Sequence, residues 1–260
     1  MMKDTVKVIK IGGNVIDNPE ALSAFLLEFA DMPGPKVLVH GGGKEATRLC
    51  NSMSIPTRMI DGRRVTDAET LDVVTMVYAG LINKRIVAGL QRAGCNAIGL
   101  TGADAGCIRA VRRSPVPVDY GFVGDIPCNG VDPERILNFV RCGLTPVFCA
   151  ITHDVNGTLL NCNADSVATA IATTLAAAEP TELIFCFEKN GVLADVDNPG
   201  SVIDVITPST YFTLRSRGAV GDGMIPKVEN ALKAIAAGVR SVTIRNSNNI
   251  STPAGTTIKP

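Results

Sequence analysis

The segment Val6-Lys7-Val8-Ile9-Lys10-Ile11-Gly12-Gly13 has the pattern of a buried β-strand that ends in a pair of glycines. A second apolar run, Lys36-Val37-Leu38-Val39-His40, ends in the same way at three glycines, residues 41–43. Glycine lets backbone N–H groups approach an anion closely, and open α/β sheets bind their ligands at the carboxyl ends of strands. The two segments therefore predict a sheet with an anion-binding edge.

Further strand-like runs follow these two segments along the chain. Residues 97–101, 145–151, 183–187 and 241–244 are rich in apolar residues, and segments with helical spacing lie between most of them. This alternation predicts an α/β fold: a three-layer αβα sandwich with a mostly parallel central sheet.

Two stretches interrupt the alternation of strands and helices. Residues 55–66, with Asp61-Gly62 at their centre, have the pattern of a β-hairpin, and residues 107–126 have that of a second antiparallel insertion. We expect both to cover a ligand beside the sheet. The pattern predicts one domain, residues 1–260, with lobes 1–160 and 161–260.

The bulk composition favours a small-molecule partner. The 260 residues include 25 Lys and Arg and 25 Asp and Glu, which leaves no excess of positive charge for nucleic acid or an anionic membrane. The eight cysteines form no Cys-x-x-Cys pair, which is typical of reduced thiols in a cytoplasmic protein. The start of the chain lacks the apolar run of a signal peptide, and no stretch of eighteen apolar residues follows.

Two lysines point to a phosphate. Lys10 lies at the end of an apolar strand, and Lys227 lies in the first turn of a predicted late helix. A cation at the positive end of a helix costs roughly 0.3–1 kcal/mol unless an anion is bound nearby. Together with the glycine turns, the lysines predict a phosphoryl-transfer site.

The segment Asn161-Cys162-Asn163-Ala164-Asp165 precedes a long helical pattern. Asn163 is a favourable N-cap and Asp165 a favourable first-turn acid, so capping explains both residues but not Asn161. A carboxylate at Asp165 could also hold two lysines that would otherwise repel each other around one phosphate.

Two other polar sites belong to predicted turns. Asp222 can cap the helix that contains Lys227, which explains most of the segment 222–227 without a ligand. In the first hairpin, strand alternation sends Arg63 and Arg64 to opposite faces. We expect one of them to be solvated and the other to offer a bidentate fork to a carboxylate.

Competing motifs are weaker. Residues 41–46 fit the dinucleotide pattern G-x-G-x-x-A, with Asp61 at about the expected distance, but Asp61 falls in a hairpin turn. A Walker A loop does not fit, because Glu45 follows Lys44 and Leu38 stands where its first glycine should be. His40 and His153 are too few to build a hydrolytic triad or a metal site, and we interpret both as structural.

These elements, in this order, resemble the amino acid kinase family, and within it the members that phosphorylate N-acylated glutamate. The resemblance spans nearly the whole chain. The matching residues are Lys10-Ile11-Gly12-Gly13, Val39-His40-Gly41-Gly42-Gly43, Gly62-Arg63-Arg64-Val65-Thr66, Asp119-Tyr120-Gly121-Phe122-Val123-Gly124, Asn161-Cys162-Asn163-Ala164-Asp165 and Asp222-Gly223-Met224-Ile225-Pro226-Lys227.

The resemblance implies transfer of the ATP γ-phosphoryl group to the side-chain carboxylate of an N-acyl-L-glutamate, a step of arginine biosynthesis, with Mg²⁺ arriving on the nucleotide. The first lobe would bind the acceptor and the second lobe the nucleotide. The implied catalytic residues are Lys10, Lys227 and Asp165; the implied acceptor contacts are Gly42, Gly43, Arg64, Asn161 and Asn163; the implied phosphate contacts are Lys10, Gly12, Gly13, Gly42, Lys227 and Glu188.

The chain departs from the family pattern in two places. Phe187-Glu188 stands where the family usually has a Ser/Thr-Asp pair. The first strand also begins almost at once, without the N-terminal helix that links dimers of arginine-inhibited relatives into hexamers. We therefore expect a homodimer, paired through the helical stretch 67–93 and insensitive to arginine.

Several alternatives remain open from the sequence. They are another member of the same family, a dinucleotide-dependent oxidoreductase based on the Gly41 pattern, and an inactive ligand-sensing relative based on the Phe187-Glu188 turn. The sequence favours acetyl as the acyl group but does not exclude succinyl.

Overall fold

The computed structural model describes residues 4–195, 197–216, 224–250, 252 and 254–260. Its strands are β1 Val6–Ile11, β2 Lys36–His40, β3 Met59–Ile60, β4 Arg63–Arg64, β5 Ala97–Leu100, β6 Val111–Arg112, β7 Gly124–Asp125, β8 Thr145–Cys149, β9 Ile151–His153, β10 Leu159–Asn161, β11 Thr181–Phe187, β12 Val205–Ile206, β13 Ser241–Asn246 and β14 Thr256–Ile258. Its helices are α1 Gly13–Ile16, α2 Pro19–Asp31, α3 Gly43–Ser52, α4 Ala68–Thr75, α5 Asn83–Arg92, α6 Pro133–Arg141, α7 Ala164–Ala176, α8 Pro208–Ser216 and α9 Ile225–Ala236.

An eight-stranded sheet forms the centre, in the order β12-β14-β13-β11-β1-β2-β8-β5. Each neighbouring pair is parallel except β13 and β14, which are antiparallel. The predicted α/β class and mostly parallel sheet are confirmed. Since β1 and β2 pair with Ile11 opposite His40, the two glycine turns leave the sheet side by side.

Side chains alternate across the sheet, and this alternation sorts the core into two layers. Val6 and Val8 of β1 pack with buried residues of α6, α7 and α9, whereas Ile9 and Ile11 pack with those of α2, α3 and the long helix of α4 and α5. Lys10 shares the parity of Val6 and Val8, so it projects toward α7.

Both predicted insertions are present. β3 and β4 pair as an antiparallel hairpin around Asp61 and Gly62, and both turn residues have positive φ angles. β6 and β7 pair antiparallel in the second insertion. An isolated bridge between Thr66 and Gly121 connects the two insertions.

The predicted strand 145–151 is wrong as one element. β8 ends at Cys149, and after Ala150 the chain forms β9, which leaves the central sheet and pairs with β10. A continuous apolar run carries no signal for this bend, because both strands are buried. The bend returns the chain to the sheet edge at Asn161.

The predicted helix 67–93 forms as a continuous run, α4 to α5, with a π-helical segment Met76–Ile82 between them. By length and mean hydropathy the run Ala68–Arg92 could cross a membrane, but α5 packs against β5, β8 and α2 of its own domain. It is therefore interpreted as a core helix. Most of its predicted apolar stripe, including Val77 and Tyr78, is buried inside this chain.

All eight cysteines are free thiols. Six are buried: Cys50, Cys95, Cys107, Cys149, Cys162 and Cys186. Cys128 and Cys142 are exposed.

Asp67 begins the long helix, because its carboxylate accepts a 2.8 Å hydrogen bond from the Thr70 backbone N–H. We expect Asp67→Ala to lower the free energy of unfolding by about 1 kcal/mol, as for the loss of other N-caps. Urea unfolding at neutral pH measures the change. Asp72→Ala, at an exposed position of the same helix, is the control and should have a much smaller effect.

The same cap gives a pH dependence. The hydrogen bond from Thr70 lowers the pKa of Asp67 below its ordinary value. A carboxyl group whose pKa is lower in the folded than in the unfolded protein stabilises the fold at pH values above the unfolded pKa. This stabilisation is lost as the pH falls through the folded pKa. The difference between wild type and Asp67→Ala should therefore shrink in acid, and a constant difference would contradict this origin.

Candidate active site

Lys10 forms an ion pair with Asp165. The Lys10 Nζ atom lies 2.6 Å from Asp165 Oδ1, and the two side chains are 17% and 33% exposed. Asp165 occupies the first turn of α7, which begins at the N-cap Asn163, whose side chain accepts from the Ser166 N–H at 3.1 Å. Among the described residues, the Asp165 Oδ1 atom has no hydrogen-bond partner besides this ion pair.

Lys227 lies in the first turn of α9, as predicted from the sequence. Its ammonium lies 4.2 Å from the centre of the Phe187 ring, which is a cation–π contact. The expectation that Asp165 contacts both lysines holds for Lys10 only; within the described part of the chain, Lys227 and Asp165 form no ion pair. Asp222, the predicted cap of this helix, lies outside the described residues.

A cleft of about 340 Å³ opens at this edge of the sheet, and we call it the lysine cleft. Its polar wall comes from the glycine turns and from three cations. These residues are Lys10, Gly12, Gly13, Gly43, Lys44 and Lys227. Its apolar wall includes Phe185, Phe187 and Ile244, at the ends of β11 and β13.

Lys44 is a cleft residue that sequence reasoning used only to exclude other motifs. It lies in the first turn of α3, where its ammonium contacts Asn14 Oδ1 and lies 3.8 Å from Asp17 Oδ2. Burial raises the pKa of Asp17, and the nearby Lys44 partly offsets this rise. A lysine directly after the glycine triplet was the available signal.

Glu188, the predicted nucleotide contact, lines the lysine cleft with an exposed side chain. Its backbone carbonyl accepts a 2.9 Å hydrogen bond from Asn246 Nδ2, which ties the end of β11 to the end of β13. The neighbouring Phe187 supplies the ring beneath Lys227. The unusual Phe187-Glu188 pair thus lies in the wall of the cleft.

A second cleft, of about 200 Å³, lies beside the first, and we call it the arginine cleft. Its lining residues include the three glycines, both hairpin arginines, Asn163 and an apolar group. The apolar group is Met59, Tyr78, Val123, Ala150, Cys162 and Ala164. Gly43 lines both clefts, so the two spaces meet at the first turn of α3.

Arg64 is buried, at 7% exposure, and its guanidinium is held by neighbouring elements. Its Nη2 donates to the Gly43 carbonyl at 2.8 Å and to Thr47 Oγ1 at 2.7 Å. Its Nε is buried and has no hydrogen-bond partner among the described residues. Arg64 is thus the inward-facing arginine of the hairpin. Arg63 also lines the arginine cleft and is more exposed than Arg64; that it is solvated stays a prediction.

Asn161 and Asn163 occupy different environments. Asn163 lines the arginine cleft at the start of α7. Asn161 is buried, and its Nδ2 donates to Thr66 Oγ1 at 3.0 Å, which joins β10 to the end of the first hairpin. The structure therefore places Asn161 behind the cleft wall, where it anchors the hairpin.

The described residues contain no group of three or more His, Cys, Asp or Glu side chains that could hold a metal ion. His153 Nδ1 donates to the backbone carbonyl of Asp154 at 2.9 Å.

Comparisons with known proteins agree with the resemblance. The model of the amino acid kinase family matches residues 5–246. The acetylglutamate kinase of Cytophaga hutchinsonii is 52% identical over 94% of this chain and 92% of its own length, and that of Phocaeicola vulgatus is 48% identical over 99% and 100%. A Streptococcus mutans protein of known structure is 30% identical, with a TM-score of 0.77 over 98% of both chains.

The family model covers most of the chain, and both named relatives align along nearly its full length. The predicted resemblance and the predicted fold are thereby confirmed. This chain belongs to the amino acid kinase family.

Proposed function

We propose that this protein transfers the γ-phosphoryl group of MgATP to the side-chain carboxylate of an N-acyl-L-glutamate, with acetyl as the acyl group. The observation that carries the proposal is the meeting of a lysine cleft and an arginine cleft at Gly43. Phosphoryl transfer needs two anionic substrates end to end, and each cleft presents cations to one of them.

The lysine cleft suits the nucleotide. Lys10, Lys44 and Lys227 surround it, and the glycine turns at 12–13 and 41–43 precede α1 and α3. Backbone N–H groups at such turns hold phosphate oxygens, and three cations offset the charge of a triphosphate. We assign Gly12, Gly13, Gly42, Lys10, Lys227 and Glu188 to this substrate.

The arginine cleft suits the acceptor. Arg64 lines this cleft, and hydrogen bonds to Gly43 and Thr47 hold its guanidinium, so a carboxylate placed in the cleft would meet a cation already in position. The apolar side chains of Met59 and Val123 provide room for a small acyl group. We assign Arg64, Gly42, Gly43 and Asn163 to acceptor binding, and Asn161 to holding the hairpin in place.

The chemistry requires little beyond positioning. A carboxylate oxygen of the acceptor forms a bond to the γ-phosphorus while the bond to the β,γ-bridging oxygen breaks, and no proton has to move. Lys10 and Lys227 stabilise the negative charge on the transferring group and on the leaving diphosphate. Asp165 orients Lys10, and a carboxylate has enough lone pairs to receive Lys227 as well when both cations converge on a phosphate.

The family match removes the basis for a dinucleotide-dependent oxidoreductase. In the structure Asp61 is an exposed turn residue of the hairpin with a φ of 48°. It does not end a strand next to the Gly41 turn, as the dinucleotide reading requires.

A coupled ADP-release assay tests the proposal with N-acetyl-, N-succinyl- and unacylated glutamate as acceptors. We expect turnover with the N-acetyl compound and a much lower kcat/KM without an acyl group. Turnover with the N-succinyl compound alone would correct the acyl group. ADP release with none of them would leave the inactive ligand-sensing relative as the better description, and binding of MgATP measured by calorimetry would then support it.

We expect Lys10→Met and Lys227→Met each to lower kcat by at least about a hundredfold, because each lysine stabilises charge in the transition state. Thermal unfolding should change little, since both side chains lie at the cleft. Lys233→Met, at the exposed far end of α9, is the matched control and should keep normal turnover. A folded Lys227→Met protein with near-normal kcat would refute the assignment.

For Arg64→Lys we expect a rise mainly in the KM for the acylglutamate, because lysine keeps the charge but loses the planar fork. Steady-state kinetics with each substrate varied in turn measures the effect. Arg63→Lys is the comparison, since Arg63 lines the same cleft from the adjacent position. A larger effect at Arg63 would show that the acceptor carboxylate binds there instead.

We also propose a homodimer, paired through the outer face of the long helix. Burial of most of the predicted stripe weakens the sequence argument, but Met76 remains 52% exposed, and Leu71 and Leu81 are only half-buried. Light scattering should give a dimer mass, and Met76→Asp should shift it toward the monomer. Met53→Asp, with a similarly exposed methionine at the C-cap of α3, is the control; a monomeric wild type would contradict this interface.

A further inference from the structure

A buried polar pair, His40 and Asn83, lies directly behind the glycine turn that the two clefts share. His40 is the last residue of β2 and Asn83 the first residue of α5, and they are 0% and 1% exposed. Asn83 Nδ2 lies 3.1 Å from His40 Nε2, and His40 Nδ1 lies 2.8 Å from the Gly41 carbonyl oxygen. Neither side chain lines a cleft, so neither has a role in the substrate contacts proposed above.

The hydrogen-bond partners determine where the protons are. A carbonyl oxygen only accepts, so His40 must carry its proton on Nδ1 and leave a lone pair on Nε2. Asn83 Nδ2 faces this lone pair and also donates to the Val147 carbonyl at 2.9 Å. Since both neighbours are acceptors, the opposite orientation of the Asn83 amide would lose both bonds.

The surrounding chain makes room for Asn83. A side chain at Gly99 of β5 would collide with Asn83 Oδ1. The same oxygen accepts from Lys84 Nζ at 3.1 Å, and this lysine also contacts the Gly99 carbonyl. The pair is thus fully hydrogen-bonded, and it joins β2, α5, β8 and β5 at one point.

The bond from His40 sets the direction of the next peptide group. In a trans peptide the C=O of Gly41 and the N–H of Gly42 point in opposite directions. While Gly41 O points at His40, the Gly42 N–H must point away from it. Ile82 of the long helix occupies the space that a side chain at Gly42 would need, so the helix approaches the turn closely at this residue.

We propose that Asn83, acting through His40, positions the turn at residues 41–43 for phosphoryl transfer, which makes both of them positioning residues. The inference rests on the proposed function only in taking this turn as part of the catalytic site. Asn83 is not among the lining residues of either cleft. Its effect passes through the His40 imidazole to the Gly41 peptide group.

With Asn83 as the donor to Nε2, this hydrogen-bond arrangement requires a neutral imidazole, and the surroundings keep His40 neutral. Burial, with a smaller effect of the nearby Lys84, lowers the pKa of His40 to about 4, although the bond to Gly41 opposes the change. The Cys149 thiol, which lies opposite His40 on β8, is also neutral because burial raises its pKa to about 12. The geometry therefore stays constant through the neutral range.

The first experiment tests whether the donor at His40 Nδ1 is needed. In His40→Asn the side-chain amide can place a donor where Nδ1 was, whereas His40→Leu has none. We expect His40→Leu to lose about tenfold to a hundredfold in kcat, the usual cost of a small misplacement of catalytic groups, and His40→Asn to lose much less. Equal activity of both variants and wild type would overturn the proposal.

The second experiment uses Asn83→Asp, which places a carboxylate against Nε2. Opposite charge raises the pKa of His40, and the doubly protonated imidazole keeps its bond to Gly41. Above the new pKa a neutral imidazole cannot serve both partners, so kcat/KM should fall with rising pH between roughly pH 6 and 9, a step that the wild type lacks. A folded variant whose pH profile parallels the wild type, with kcat/KM within about twofold, would overturn the proposal.

Asn138→Asp and Asn138→Leu, on the exposed face of α6, are the matched controls. Amide hydrogen exchange gives a readout that does not depend on activity: Asn83→Leu should speed exchange in peptides that contain residues 41–43, and Asn138→Leu should not. Should His40→Leu fail to fold, Asn83→Asp and this exchange measurement still decide the matter. The wild type is assayed first with the acceptor panel. A wild type without activity contradicts the proposed function, whereas an active wild type with unchanged variants contradicts only the positioning role.

Discussion

The parallel pairing of β1 with β2 is the constraint on which the site depends. Ile11 lies opposite His40, so the glycine turns that follow them leave the sheet at the same level and on the same edge. Each turn leads into a helix, and the N-terminus of α7 arrives at the same place, since Asp165 meets Lys10. Several positive helix ends therefore converge with several lysines, a concentration of positive potential that is costly unless an anion occupies it.

Asp165 reduces that cost within the protein. The Lys10 ammonium is mostly buried and lies near positive helix ends, and both placements are unfavourable for a cation. Its ion pair with Asp165, in the first turn of α7, compensates both. The cation–π contact between Lys227 and Phe187 serves the second lysine in a different way. The Phe187-Glu188 pair, which departs from the family pattern, is thereby connected to how this chain holds Lys227.

The acceptor side depends on different physics. Arg64 is buried against α3, with its guanidinium bonded to Gly43 and Thr47, so little conformational entropy remains to be lost when it binds a carboxylate. The hairpin that contains it is tied to β10 by Asn161 and to the second insertion by the bridge of Thr66 to Gly121. Both insertions therefore share one support, and the arginine cleft lies between that support and the glycine turn.

Local patterns in the sequence were sufficient for most strands of the central sheet, the glycine turns, the hairpins and the N-cap at Asn163. Each of these depends on periodicity, turn chemistry or capping over a few neighbouring residues, and such signals can be read without knowing the rest of the fold. Other features were decided only by the tertiary structure, because they depend on residues far apart in the chain. They are the bend after Cys149, the separation of Asn161 from the cleft, the position of Arg63 in the lining of the arginine cleft, and the contact of Asn83 with His40. These follow from how buried elements pack against one another, and burial alone does not tell an apolar run which neighbour it will meet.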